Sequence, residues 1–168
     1  GEASDRITAL TAQGVTGAAL LATLLGLFLA RRTAPFKDVD IPLPDLPTAL
    51  DGFTIVQLSD IHVGPTIKGD YLEAIVSRVN GLNAAILCPD ARGLLVDGSV
   101  HELAEHTEPL ARLQARHGVF FVTGNHEYYS GALSWIEELR RLGLTVLLNE
   151  HVALDHDGHA VTLAGVTD

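Results

Sequence analysis

The sequence predicts an α/β domain preceded by an N-terminal hydrophobic helix. Three observations support this prediction: short β-branched apolar runs alternate with helical stretches, a long uncharged block stands near the N-terminus, and a proline-rich segment separates the two. We therefore assign residues 7–30 to the hydrophobic helix, residues 31–51 to a linker and residues 52–168 to the N-terminal part of a globular domain.

The N-terminal block is uncharged throughout residues 7–30 and apolar on every face from Gly14 to Ala30. About 20 such residues cross a bilayer, so we expect a transmembrane helix or uncleaved signal anchor that makes the protein membrane-associated. The alternative, a buried amphipathic helix, would show one apolar stripe. Arg31 and Arg32 follow the block, and the positive-inside tendency would place the domain in the cytoplasm, but a preceding segment would be able to reverse this orientation.

The composition excludes two classes of protein. Eleven Lys and Arg against 21 Asp and Glu give a net charge of −10, so we expect no nucleic-acid partner. The single cysteine, Cys88, excludes a disulfide scaffold. Because the chain begins at Gly1 instead of a methionine and stops at Asp168 after a strand-like run, we expect it to be a fragment of a longer protein.

The globular part alternates strands with helices. The runs at 53–58, 84–88, 119–123 and 145–148 are typical of buried parallel strands, and the segment HVALDHDGHAVTLAGV predicts two strands joined at Asp157-Gly158. Helical spacing relates three sets of apolar residues: Leu72, Ile75, Val76, Val79 and Leu82; Leu103, Leu110 and Leu113; Trp135, Ile136, Leu139 and Leu142. This alternation predicts a parallel sheet with a hairpin added at the C-terminal end.

Polar side chains of the metal-ligand type follow two of these strands. Asp60 and His62 come directly after FTIVQL, and residues i and i+2 of an extended chain point the same way, so both would reach one cation. Gly124-Asn125-His126-Glu127 follows VFFVT; glycine permits a sharp turn, and the Asn oxygen is a hard metal ligand. Each motif alone matches an ordinary turn, but the two together predict a metal site at one edge of the sheet.

Taken together, LSDIHVGP, FFVTGNHEYYSG, LVDGSV and LAGVTD resemble the calcineurin-like metallophosphoesterases, most closely their membrane-associated branch. The resemblance implies a four-layer α/β/β/α sandwich, present here in part, and two divalent metal ions (Mn, Fe, Zn or Mg) that activate a water for attack on a phosphoester. By position, Asp60 and His62 would bind the first metal and Asn125 the second. His126 would contact the phosphate and assist the leaving group, and Gly124 and Glu127 would support the site.

One segment departs from the family pattern. The family places a bridging aspartate after a glycine at a strand end, in a context like T-G-D-L-V-D-G, and the matching residue here is Leu94. Leucine has no lone pair and cannot bind a metal. Asp90 would substitute only if its loop were rebuilt, which Pro89 restricts, and Asp97 is expected to satisfy backbone groups at a turn.

These observations leave three hypotheses open. The chain would be part of a phosphoesterase that hydrolyses a phosphomonoester, a phosphodiester or a lipid-linked pyrophosphate at a membrane. It would be impaired by Leu94 and by C-terminal truncation, because the resemblance implies further metal-binding histidines in motifs beyond Asp168. It would alternatively be a catalytically inactive scaffold or binding module of the same fold. In the third hypothesis the protein is active, and the sequence of segment 89–94 is corrupted or rearranged relative to the true one. The remaining histidines show no ligand spacing and are expected to be solvated: His101, His106, His117, His151, His156 and His159.

Overall fold

The computed structural model describes residues 1–64, 67–89, 96 and 98–167. The chain forms two compact units, Gly1–Ala34 and Pro35–Asp168, and each is described by itself. The described residues do not include the three positions considered for the bridging ligand, which are Asp90, Leu94 and Asp97.

The first unit consists of one long helix, α1 (Glu2–Ala30), which begins about one turn before the uncharged block. All its residues are described, and none is buried within the unit. Four threonine hydroxyls donate hydrogen bonds of 2.8–2.9 Å to carbonyls four residues earlier, so these polar groups need no external partner: Thr8, Thr11, Thr16 and Thr23. By length and composition α1 can cross a bilayer, a property that signal sequences share.

The second unit is built on a parallel sheet. Strand β1 (Ile55–Leu58) pairs with β2 (Ile86–Pro89), and β3 (Phe120–Phe121) pairs with β4 (Thr145–Val146), both in parallel. A parallel bridge between Leu87 and Val119 joins the two pairs, which gives the strand order β1-β2-β3-β4. The four predicted parallel strands are all present, each shorter than its apolar run. The predicted burial of β1 is wrong, since Ile55 is 54% exposed and Gln57 is also exposed on this edge strand.

Helices cover one face of this sheet, as the apolar stripes predict. They are α2 (Gly69–Asn80), α3 (Val100–Thr107), a 3-10 helix (Glu108–Arg112), α4 (Asn125–Ser130) and α5 (Ala132–Arg141). The residues of the three predicted stripes are buried in one core, with one exception. Leu82 is 42% exposed, because α2 ends at Asn80 and the chain turns away before Leu82 reaches the helical face.

An antiparallel hairpin covers the opposite face. Strand β5 (Glu150–His156) pairs with β6 (His159–Gly165) around Asp157 and Gly158, as predicted. Alternate residues of the parallel strands face the two sides: Leu87, Phe121 and Val146 lie in the helical core, whereas Ile86, Phe120 and Leu147 pack with hairpin residues. The described residues therefore form helix, sheet and hairpin layers, three of the four layers of the expected sandwich.

Candidate active site

The first predicted motif lies just beyond the carboxyl end of β1. Asp60 and His62 are exposed, and Ile61 between them is buried in the helical core. Both polar residues have left-handed backbone, with φ of 57° and 54°. The prediction of an extended chain here is therefore wrong: burial of Ile61, and not strand pleating, turns its two neighbours outward.

This backbone is costly outside glycine. A non-glycine residue held in a sparsely populated region loses about 1–3 kcal/mol, and such residues persist where the surrounding fold imposes them. Asp60 and His62 are two of the five non-glycine residues with positive φ among those described. Because these two strained residues flank the buried Ile61, the fold holds the side chains of Asp60 and His62 in fixed positions.

The second motif begins where the chain leaves β3. Gly124 is the residue before α4 and has φ of −106°, a value that any residue can adopt. The prediction that this turn requires the conformational freedom of glycine is therefore wrong. Its N–H donates a 2.8 Å hydrogen bond to the carboxylate of Glu127, which is fully buried. Glu127 thus fixes the start of α4, as a supporting residue would.

The fold brings the two motifs together through their histidines. The ring centroids of His62 and His126 lie 6.3 Å apart, with 65° between the ring planes. His126 also meets Tyr129 edge-on, at 5.6 Å and 83°. Asn125 is exposed at the first position of α4. Imidazoles from distant parts of the sequence thus share one edge of the sheet, which is the arrangement that the two motifs predicted.

The metal-ligand roles of these residues stay predictions. Within residues 1–64, 67–89, 96 and 98–167 no group of three or more His, Cys, Asp or Glu side chains is placed to hold a metal ion. The donors near the two histidines are nevertheless chemically suitable: a carboxylate at Asp60, an imidazole at His62 and an amide oxygen at Asn125 suit a divalent cation.

Sequence reasoning missed a second histidine pair. His117 and His156 were expected to be solvated, yet both are partly buried, and their Nε2 and Nδ1 atoms lie 2.7 Å apart. This expectation is wrong because the hairpin folds back onto the sheet and brings His156 to the start of β3. The pair lies at the opposite end of β3 from Gly124.

Comparison with known proteins agrees with the motifs and the fold. A family model described as calcineurin-like phosphoesterase matches residues 53–165. The chain belongs to the calcineurin-like phosphoesterase family. Members of this family hydrolyse phosphoesters and generally use divalent metal ions. Family membership confirms the predicted fold class, and the structure shows the predicted apolar helix before the domain as α1.

Individual relatives of this calcineurin-like domain carry related descriptions. The chain is 38% identical over 147 residues to a transmembrane protein with metallophosphoesterase domain of Danio rerio, covering 85% of the chain and 33% of the relative. The protein of that description from Bos taurus is 35% identical over 156 residues, 87% of the chain and 34% of the relative. An uncharacterized metallophosphoesterase of Helicobacter pylori is 38% identical over 114 residues, 68% of the chain and 29% of the relative.

The chain spans about a third of the length of the curated relatives it matches. No solved structure matches it significantly.

Proposed function

We propose that this chain is part of a membrane-anchored, metal-dependent phosphoesterase. The observation that supports the proposal most directly is the approach of His62 to His126, whose rings lie 6.3 Å apart at the carboxyl edge of the sheet. Each histidine belongs to a motif that follows a parallel strand of a calcineurin-like domain, β1 for His62 and β3 for His126. A phosphoester bound at this edge would contact residues of both motifs at once.

Each polar residue has a proposed role. Asp60, His62 and Asn125 would hold divalent cations, which when bound supply an activated water nucleophile. His126 would donate a ring N–H to a phosphate oxygen and help the leaving oxygen depart. Glu127 keeps Gly124 in place, so that α4 starts where Asn125 and His126 face the site.

The candidate site is compatible with three classes of phosphoester, and α1 favours one of them. A phosphomonoester, a phosphodiester and a lipid-linked pyrophosphate all present the oxygens that this site would bind. Residues 7–30 would anchor the protein in a membrane, and a surface-anchored enzyme meets lipid-linked substrates at high local concentration. We therefore propose a lipid-linked phosphoester as the first substrate to test.

A second function is favoured by Leu94. Two cations about 3.5–4 Å apart repel each other strongly unless an anion lies between them, and leucine cannot supply it. With Leu94 at the bridging position, the chain would bind at most one cation weakly and turn over little substrate. In that case it would act as an inactive scaffold or binding module at a membrane.

Metal analysis separates the two functions. The chain is purified in detergent, dialysed against Mn²⁺ or Zn²⁺ and analysed for bound metal. At most one equivalent, lost on brief chelation, supports the inactive scaffold; two tightly held equivalents support the active enzyme and contradict the scaffold. A chain in which Asp60, His62 and Asn125 are all replaced by Ala gives the background of adventitious binding.

A further inference from the structure

Two histidines meet at the amino end of β3, away from the candidate active site. Nε2 of His117 lies 2.7 Å from Nδ1 of His156, within hydrogen-bond distance. The side chain of His156 is only 12% exposed, and His117 is partly buried. This contact links the turn end of the β5–β6 hairpin to the segment that enters the sheet.

The ring of Phe53 covers the pair on its apolar side. Phe53 is stacked on His117 at 6.1 Å with 16° between the planes, and it meets His156 edge-on at 4.9 Å. Two contacts from one aromatic ring restrict how either imidazole can rotate. The pair is therefore held in one arrangement, and the bond between the two nitrogens is partly shielded from water.

Neighbouring groups fix which nitrogen carries the proton. Nη1 of Arg116 lies 3.4 Å from Nε2 of His156, and a guanidinium has only donors, so Nε2 accepts. A neutral His156 then carries its proton on Nδ1 and donates it to Nε2 of His117. Only one proton lies between the two facing nitrogens.

Charges around the pair balance each other. Asp157 accepts a 2.5 Å hydrogen bond from Arg116, which holds the pKa of Asp157 below its ordinary value and keeps it ionised. One Asp157 oxygen lies 3.6 Å from Nε2 of His156, and Asp155 also attracts Arg116. Within the described residues, the side chain of His159 makes one hydrogen-bond contact, from Nδ1 to the backbone carbonyl of Asp157 at 3.2 Å. The Asp157 carboxylate beside His156 is thus already hydrogen-bonded to Arg116.

The spacing suits a proton better than a metal. Two nitrogens on one tetrahedral zinc ion, each at about 2.0–2.1 Å, would be about 3.3–3.4 Å apart. The observed 2.7 Å is too short for this, and no third ligand completes a site in the described part of the chain.

We propose that the His117–His156 pair is an acid-sensitive contact that closes the turn end of the hairpin while both rings are neutral, with one hydrogen-bond proton between them, and opens it when both rings are charged. Two imidazolium rings would point N–H groups at each other across this gap, which removes the hydrogen bond and adds repulsion. Opening is therefore expected on acidification from pH 7 to pH 5.

Linkage sets the size of the effect. The open hairpin with both rings charged binds two more protons than the closed, neutral pair, so each pH unit below the titration favours opening by at most about a hundredfold. Because the proposal uses none of the candidate active-site residues, it holds whether or not the chain hydrolyses phosphoesters.

The test is amide hydrogen exchange on the whole chain in detergent micelles at pH 7 and pH 5, corrected for the intrinsic exchange rate. We expect protection of the amides of His156 and His159 to fall by about tenfold, and that of Val152 and Leu163 to change much less. In His117→Gln, the amide oxygen accepts the same N–H but does not titrate, so the acid response is lost and protection at pH 7 is kept. His151→Gln, at an exposed position of β5, is the matched control and keeps the full response.

Two results would overturn the proposal: equal protection at pH 7 and pH 5 in the natural chain, or an undiminished acid response in His117→Gln. If that variant does not fold, ¹⁵N spectra of the natural imidazoles decide the question. A nitrogen–nitrogen coupling across the contact at pH 7 that disappears when both rings are protonated supports the proposal, whereas a coupling that persists in the doubly charged pair contradicts it.

Discussion

The backbone N–H of Gly124 donates a 2.8 Å hydrogen bond to the carboxylate of Glu127, whose side chain is fully buried. We expect Glu127→Ala to leave this buried donor without an acceptor and to cost about 1–3 kcal/mol of unfolding free energy, more if other partners of the carboxylate are also lost. Glu127→Gln keeps an acceptor and is expected to lose less. Urea unfolding followed by circular dichroism measures the difference.

The matched control for Glu127 is Glu137→Ala, which removes an exposed glutamate from α5. We expect its unfolding midpoint to stay close to that of the natural chain. Equal midpoints for Glu127→Ala and Glu137→Ala would show that the buried carboxylate does not hold the start of α4.

The site predicts an order of metal affinities. His62→Ala removes an imidazole from the edge where it faces His126, and we expect it to weaken Mn²⁺ binding at least about tenfold. His151→Ala removes an exposed imidazole from the hairpin and is expected to leave the affinity unchanged. Isothermal titration calorimetry gives both values, and equal losses would mean that the metal binds elsewhere.

The proposed loss of the bridging ligand at Leu94 predicts a gain of function. Leu94→Asp places a carboxylate at the proposed bridging position, and we expect bound metal to rise from at most one to two equivalents, with hydrolysis of an aryl phosphate above background. Leu94→Asn, equal in size but uncharged, is the control and should gain less. No gain in metal for Leu94→Asp would place the defect outside this position.

The sequence predicted the layers of the fold better than the geometry of its loops. Apolar periodicity is a property of neighbours along the chain, so the strands and most of the helical stripes followed from it directly. The predicted burial of Leu82 is wrong because no periodic pattern marks the end of α2 at Asn80. The left-handed backbone of Asp60 and His62 was unpredictable for another reason: it is imposed by the burial of Ile61 in a core made by distant segments.

The histidines show the same limit more sharply. His62 and His126 were found because each follows a strand, and parallel strands bring their carboxyl ends to one edge. His117 and His156 carry no such signal, since a contact between a strand entry and a hairpin turn depends on how far β6 runs along the sheet. The sequence pattern can predict that two strand ends meet at one edge of the sheet, but it cannot predict that a distant hairpin turn packs against the start of β3.

Close packing of the hairpin predicts strain from one methyl group. A Cβ added at Gly165 would lie 2.7 Å from Cγ1 of Val122 and even closer to Cβ of Leu147. We expect Gly165→Ala to cost about 1–3 kcal/mol, because Leu147 is buried and Val122 packs against the same cluster, so neither side chain has free space to move into. Ala164→Ser, at the exposed neighbouring position, is the control. Unchanged stability of Gly165→Ala would mean that β6 is not packed this tightly.

The charge cluster at the end of α5 predicts a pH-dependent contribution to stability. Arg141 donates hydrogen bonds to Glu138, at 2.7 and 2.8 Å, and to Glu108. The hydrogen bond from Arg141 lowers the pKa of Glu138 below its ordinary value. A carboxyl with a depressed folded-state pKa stabilises the fold above the unfolded-state value, near pH 4.3, and this contribution is lost as the pH falls through the folded-state pKa.

We therefore expect Glu138→Gln to lower the urea midpoint at pH 7, where the natural side chain is ionised and paired, and to have a much smaller effect at pH 3. Glu137→Gln, on the exposed face of the same helix, is expected to have little effect at either pH. Equal losses for Glu138→Gln at pH 7 and pH 3 would show that packing of the side chain, and not its charge, accounts for its contribution. Because Arg141 is mostly exposed, 0.5 M salt should reduce the difference at pH 7.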